Sequence, residues 1–297
     1  MTYRIEPEEI QSVLAKSVHF PKRLLSVDHT IRSLRRTIRA EIYGHMQPWA
    51  LLLDESVRFF VNFERLQRTR QFTKVTSTFA MQIGRLRSLV LSIRELVYLG
   101  QESPGHALAR VFLDDLELAA VMIDDPDFAL QYMNEHEAHD EQAFWKQNIG
   151  YGRIYPRYYN FLVRAGWTTR AAARQIRIHR ATKNVLSGHV HPSPATTFRG
   201  LASRSWTHPG LIAIDTLGHT SRHMPGLCIF VAGETRYFGA AVVNLFLKDE
   251  PPLALRDYKR KGVVSHVVAS TMILQELMDK HATNMELERK RRSRRKR

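Results

Sequence analysis

Two histidines separated by one valine, His189 and His191, stand after a glycine and before a proline in the stretch NVLSGHVHPSP. An imidazole titrates near pH ~6.5, so such a pair can take and give protons at neutral pH. Gly188 reads as the left-handed residue that commonly ends a helix. Pro192 and Pro194 keep the helix from resuming. The spacing therefore predicts a helix stop at Ser187-Gly188, followed by an extended segment whose alternate residues share a side. Two readings follow. Either both imidazoles face an arginine-lined cleft as an acid–base pair, or the loop is structural. In the structural case His191 is buried against backbone or a carboxylate such as Asp114, and His189 is exposed.

The helix ahead of this loop supplies the cations. Arg170, Arg174 and Arg177 fall on one stripe at four- and three-residue spacing, and Arg180 and Lys183 continue around the adjoining face. Ala171, Ile178 and Val185 form an apolar strip that is predicted to dock the helix. Like charges at these spacings repel unless an anion lies over them. Arginine's planar fork suits carboxylate and phosphate equally. The acid–base reading assigns His189, His191 and Arg180 to catalysis, and Arg170, Arg174, Arg177 and Lys183 to phosphate. Upstream, Tyr151, Tyr155, Tyr158, Tyr159 and Trp167 are either core residues or platforms on which bases stack.

Other constellations are thinner. His136-Glu137-Ala138-His139 lacks one residue of the metalloprotease helix motif. Asp215, His219 and His223 repeat every four residues, but Gly218 and Pro225 interrupt the helix that would align them. No metal or cofactor is assigned. No phosphate-cradling glycine loop, nucleophile elbow or kinase signature is present.

The run KNVLSGHVHPSP resembles the signature of a bacterial domain family of unknown function, whose members carry L-S-x-x-V-H-P-S near the end of an all-helical domain. That family has an arginine followed four residues later by glutamate, then a helix ending in Asp-Pro. This chain has Arg110 with Asp114 in place of the glutamate, then VMIDDPDFALQYM. The likeness covers roughly residues 79–200. In layout it resembles HEPN-type proteins, many of them metal-independent ribonucleases of antiviral defence and toxin systems. Their mark is an arginine, four to six residues, then a histidine at a helix end. Here Arg174 and His179 have that spacing but lie mid-helix, while Arg180 and His189 are separated by eight residues. The resemblance implies an all-α bundle with a HEPN-like core, RNA rather than DNA as partner, and a homodimer or partner protein. It implies either a ribonuclease or a non-catalytic scaffold of a larger nucleic-acid-binding complex.

Composition agrees with a polyanion as partner. The 297 residues carry a formal net charge of +15. Eight basic residues and no acid lie in Arg289–Arg297, Arg291, Arg292, Arg294 and Arg295 among them, and without that tail the charge is still +7. A tail this dense binds phosphates through counterion release and reads as a disordered extension. Charge is also segregated: residues 111–145 hold ten acids and no Lys or Arg, and residues 142–214 hold eleven Lys or Arg and no acid. These segments pair as helices, line an anion site, or do both. One cysteine, Cys228, excludes an intrachain disulfide and points to a reducing cytoplasm. No run of about 18 apolar residues predicts a membrane span.

The elements that must position these residues read as helices almost throughout. Ile31, Leu34, Ile38 and Ile42 repeat at helical spacing, as do Phe79, Ile83, Leu86, Val90, Ile93 and Val97. Ser103-Pro104 reads as cap and first turn of a helix to Asp124, in which Arg110 and Asp114 pair at four-residue spacing. Pro126 opens the next helix, Pro156 another, and Thr168 or Thr169 caps the arginine helix. Further helices are predicted up to Lys248 and from about Val263. GLIAID (Gly210–Asp215) reads as a strand with no partner in sight. The division predicted is an N-terminal helical region over 1–75, a HEPN-like domain over 76–288, and the tail over 289–297.

Overall fold

A computed structural model describes residues 27–67, 73–137, 141–191, 203–204, 212–213, 223–248, 252 and 263–294. The fold is all-α. In chain order the helices are α1 (Val27–Glu41), α2 (Gln47–Gln67), α3 (Lys74–Tyr98), α4 (Glu102–Asp124), α5 (Pro126–Glu137), α6 (Glu141–Phe144), α7 (Tyr155–Arg164), α8 (Thr169–Val190), α9 (Met224–Phe246) and α10 (Val263–Arg294). The GLIAID segment does find a partner: β1 (Ser203–Arg204) and β2 (Ile212–Ala213) form a two-residue antiparallel ladder with Ser203 opposite Ala213. Pro7-Glu8-Glu9, whose proline and acids read as the first turn of a helix, lies outside the described residues.

The stripe from Phe79 to Val97 is buried along its length and gives α3 one face for the core. Thr73 caps that helix by accepting from the backbone N–H of Thr76, whose hydroxyl returns the favour to Thr73 N–H. Next to it, α2 packs on α3, α9 and α10, and α4 packs on α3, α8 and α9. Five phenylalanines meet at the centre: Phe59, Phe60, Phe63, Phe112 and Phe238, with neighbouring rings 5.1–6.3 Å apart. They come from both sides of residue 75, so the predicted boundary there does not coincide with a break in packing.

Helix α9 is long and apolar enough by length and composition to cross a membrane. Most of its apolar window is buried against neighbouring helices, and it carries a buried glutamate, Glu234. At the other end of the chain α10 runs to Arg294, so the backbone of Arg291, Arg292 and Arg294 is helical and the tail is not wholly extended. Lysine and arginine are good helix formers and sit favourably at a C-terminus. Arg295 lies outside the described residues.

Candidate functional site

Helix α8 turns a different face to the core than its apolar residues predict. Ile178 and Val185 are exposed, and the docking face is Ala172, Gln175, His179 and Leu186. A polar stripe can dock because each of its polar groups meets a partner. His179, fully buried, donates from Nδ1 to Glu117 of α4 and from Nε2 to Glu234 of α9, both at 2.8 Å. Gln175 donates its amide to Glu234 at 3.2 Å, and Tyr158 of α7 stacks on the imidazole at 5.2 Å. Burial works against the imidazolium, but the two carboxylate hydrogen bonds and their charges outweigh it and raise its pKa to about 9. His179 is thus a fixed cation at neutral pH, not a base in waiting. Burial beside the same carboxylates pushes the Tyr158 hydroxyl well above its ordinary value.

The charges continue outward as a ladder. Lys183 spans Glu117 at 2.5 Å and Asp114 at 2.7 Å, and Asp114 also pairs with Arg110, whose Nε donates to Ser187 Oγ at 3.4 Å. From Glu234 to Arg110 the signs alternate and cancel. The acidic and basic segments of the sequence therefore pair as helices here. Arg164 with Asp124 and Arg157 with Asp125 extend the same pattern to α7. The predicted Arg110–Asp114 pair forms, but at a cleft rim where both side chains keep solvent contact, rather than inside the bundle.

That cleft has a volume of about 440 Å³ and is bounded by Arg110, Asp114, Tyr155, Arg180, Lys183 and Ser187 on one side. Its other wall is irregular backbone, a π-helical turn over Trp145–Ile149 followed by Gly150-Tyr151-Gly152. Tyr151 adopts the left-handed conformation, φ 56° and ψ 22°, which costs a non-glycine residue about 1–2 kcal/mol. Its ring is 85 % exposed and lies edge-on to the exposed Trp145 at 5.9 Å. Gly150 is required there: a Cβ would stand 2.6 Å from the Trp145 ring. Across the cleft Arg180 lies over the Tyr155 ring at 4.7 Å. Strain held around an exposed ring marks a position kept for something other than packing. Tyr151→Asn should accordingly leave stability unchanged or raise it by up to about 1 kcal/mol, since asparagine tolerates this backbone. A urea titration showing a loss of more than that would make the ring a packing residue.

The opening histidines stand elsewhere. Helix α8 runs through Gly188 to Val190 and ends only at His191, whose N–H bonds Ser187 O. His191 is extended (φ −104°, ψ 137°), as the residue before a proline is driven to be. Pro192, not Gly188, makes the stop. His191 is exposed, which corrects its expected burial, and the half-buried His189 stacks on His106 at 4.7 Å with Ser103 Oγ 3.4 Å from its Nδ1. Ser103 thereby serves the histidine and not the helix start, which begins at Glu102 without a side-chain cap. Nor do the histidines meet Arg180. His189 lies nine positions further along the helix, about 13.5 Å along the axis and about half a turn around it. Within one chain His189, His191 and Arg180 are not brought together, and neither histidine lines the cleft.

Of the aromatic run, Tyr155 and Tyr158 are core residues and Tyr151 is the exposed one. Arg170, Arg174 and Arg177 lie exposed along the solvent side of α8, with no carboxylate paired to them among the described residues. No cluster of His, Cys, Asp or Glu fit for a metal occurs among those residues, and His139, Asp215 and His219 fall outside them. The sequence marks His179 only by its spacing from Arg174, and neither Glu117 nor Glu234 is among the residues it singles out. The signal for the two glutamates was a lone acid in each of two apolar runs, Glu117 in LELAAVMI and Glu234 in LCIFVAGET. No protein-family model, curated protein or solved structure matches the chain.

Proposed function

We propose that this protein is a helical nucleic-acid-binding protein, with RNA as its ligand and the solvent ridge of α8 as its phosphate-contacting surface. The observation that carries the reading is the row Arg170, Arg174 and Arg177, three exposed guanidiniums about one turn apart on a rigid helix with no carboxylate over them among the described residues. Three like charges in a row are destabilising in isolation and become favourable when a phosphate backbone runs along them. The ridge leads into Arg180 and Lys183 at the cleft, and the basic end of α10 adds sequence-independent attraction. The fold holds the ridge rigid, because the Glu117–His179–Glu234 bridge fixes the opposite side of the same helix.

Binding without cleavage is the form of this reading that the geometry favours, since the proposed acid–base histidines and Arg180 lie apart. The test is fluorescence anisotropy with a labelled single-stranded RNA across a salt series. Substituting Arg170, Arg174 and Arg177 together by alanine should flatten the plot of log affinity against log salt by about 2, at roughly 0.7 per phosphate contact. An unchanged slope removes the ridge from the interface. Labelled RNA incubated with the protein in chelator should remain intact; cleavage abolished by His189→Ala or His191→Ala would restore the ribonuclease reading.

A further inference from the structure

The cleft beside Arg180 has features that a continuous phosphate track does not need. We propose, resting on the nucleic-acid reading above, that it receives one unstacked nucleotide of a single strand, its base on Tyr151 and Trp145 and its phosphodiester on Arg180. The volume of about 440 Å³ lies within the range of about 300–1,000 Å³ typical of small-ligand sites. A second cavity of about 820 Å³ shares Asp114, Trp145 and Ile149 with it, so the opening is wider than one residue's gap.

Charge accounting picks the anion. Arg110 and Lys183 are matched by Asp114 and Glu117, and Glu117's partner His179 is matched by Glu234. Among the described residues that line this cleft, Arg180 remains as one cation in excess, packed over Tyr155 and within 4.0 Å of where a Gly152 Cβ would stand. One excess positive charge fits one phosphodiester. The base-facing elements are equally specific. Exposed aromatic faces are what unpaired bases stack on, whichever base it is. Tyr151 is held exposed at the expense of left-handed backbone between two glycines, Gly150 being small so that Trp145 can lie against it. A turn serving only to connect α6 to α7 would need neither the strain nor the exposed rings. Asn184 and Ser187 line the same cleft and offer an amide and a hydroxyl to a base edge.

The experiment uses the full chain and four probes: an adenylate RNA decamer, the same decamer paired with its complement, an abasic sugar-phosphate decamer of equal charge, and adenosine monophosphate. The readouts are anisotropy and tryptophan emission, with Trp145→Phe identifying the contribution of that ring. The single-stranded decamer should quench Trp145 and bind at least about tenfold more tightly than the duplex and the abasic strand. Tyr151→Asn should erase that preference while preserving the melting transition and the salt slope, and Arg180→Gln should weaken all strands. Equal binding of the RNA and abasic decamers by the native protein overturns the proposal, as does a preference that survives Tyr151→Asn. Adenosine monophosphate binding as tightly as the decamer would assign the cleft to a free nucleotide and likewise overturn it. If base preference is absent but the triple-alanine ridge variant flattens the salt slope, the phosphate surface stands and the cleft falls. If base preference is present while that variant keeps the native slope, the ridge falls and the cleft stands.

Discussion

Replacing His179 by alanine should cost the bundle about 3–5 kcal/mol, the usual penalty for removing one partner of a buried ionic group. The ring is fully buried and joins α8 to Glu117 of α4 and Glu234 of α9. Without it Glu117 keeps Lys183, but Glu234 keeps only the Gln175 amide among the described contacts. Two carboxylates then share a dry space with their common cation gone, and a cavity is left beneath Tyr158. Against a typical stability of about 5–15 kcal/mol the loss is large. A urea titration measures it directly. His179→Ala combined with Glu234→Leu should recover part of the loss, because an unpaired charge has been replaced by an apolar side chain. A single variant losing less than about 1 kcal/mol would mean that water enters and solvates the pair.

The same imidazolium sets an alkaline limit. Its folded pKa, about 9, lies above the value of 6.5 expected in the unfolded chain. The unfolded chain therefore gives up this proton first, and the stability it contributes is complete below about pH 6.5 and lost as pH rises through 9. A shift of that size corresponds to roughly 3 kcal/mol. The nearby Tyr155 and Tyr158 hydroxyls are both pushed up by burial from 10, and Cys228 is pushed to about 12, so none of them titrates in that window. Urea midpoints taken from pH 6 to pH 10 should fall for the native protein and stay nearly level for His179→Gln, once other groups are subtracted as the common background. Parallel curves for the two proteins would show that His179 is neutral when folded.

The parts of the fold that were legible in the sequence are those where burial and apolarity coincide. The Phe79–Val97 stripe repeats at helical spacing because α3 buries one continuous apolar face. Arg110 and Asp114 were legible as a pair because one helix places them four apart. Helix α8 failed that logic twice. Its apolar strip of Ile178 and Val185 faces solvent, while Gln175 and His179 face the core, and no periodicity of hydrophobicity reveals a polar stripe that docks by hydrogen bonds. Gly188 predicts a stop because glycine is the usual left-handed cap, yet it is helical here and His191 ends the helix ahead of Pro192. The histidine that organises the site is the mid-helix one. Only the tertiary placement of Glu117 and Glu234, 62 and 55 residues away in sequence, distinguishes it from its neighbours.

The packing of α2 against α10 imposes an order on synthesis. Asn62 donates to Ser270 Oγ across 208 residues of sequence, and Phe59 and Phe63 of the same helix share the core with Phe238 of α9. At a ribosomal rate of about 5–20 residues per second, the apolar face of α2 waits roughly 10–40 s after its own emergence before its last partner exists. During that interval three closely spaced phenylalanines on a nascent helix have α3 and α4 as their available cover. The early helices can close a provisional half-core, and α9 and α10 complete it. A ribosome stalled before α10 would therefore hold a nascent chain with an open seam along α2, which is the natural point of engagement for a holdase.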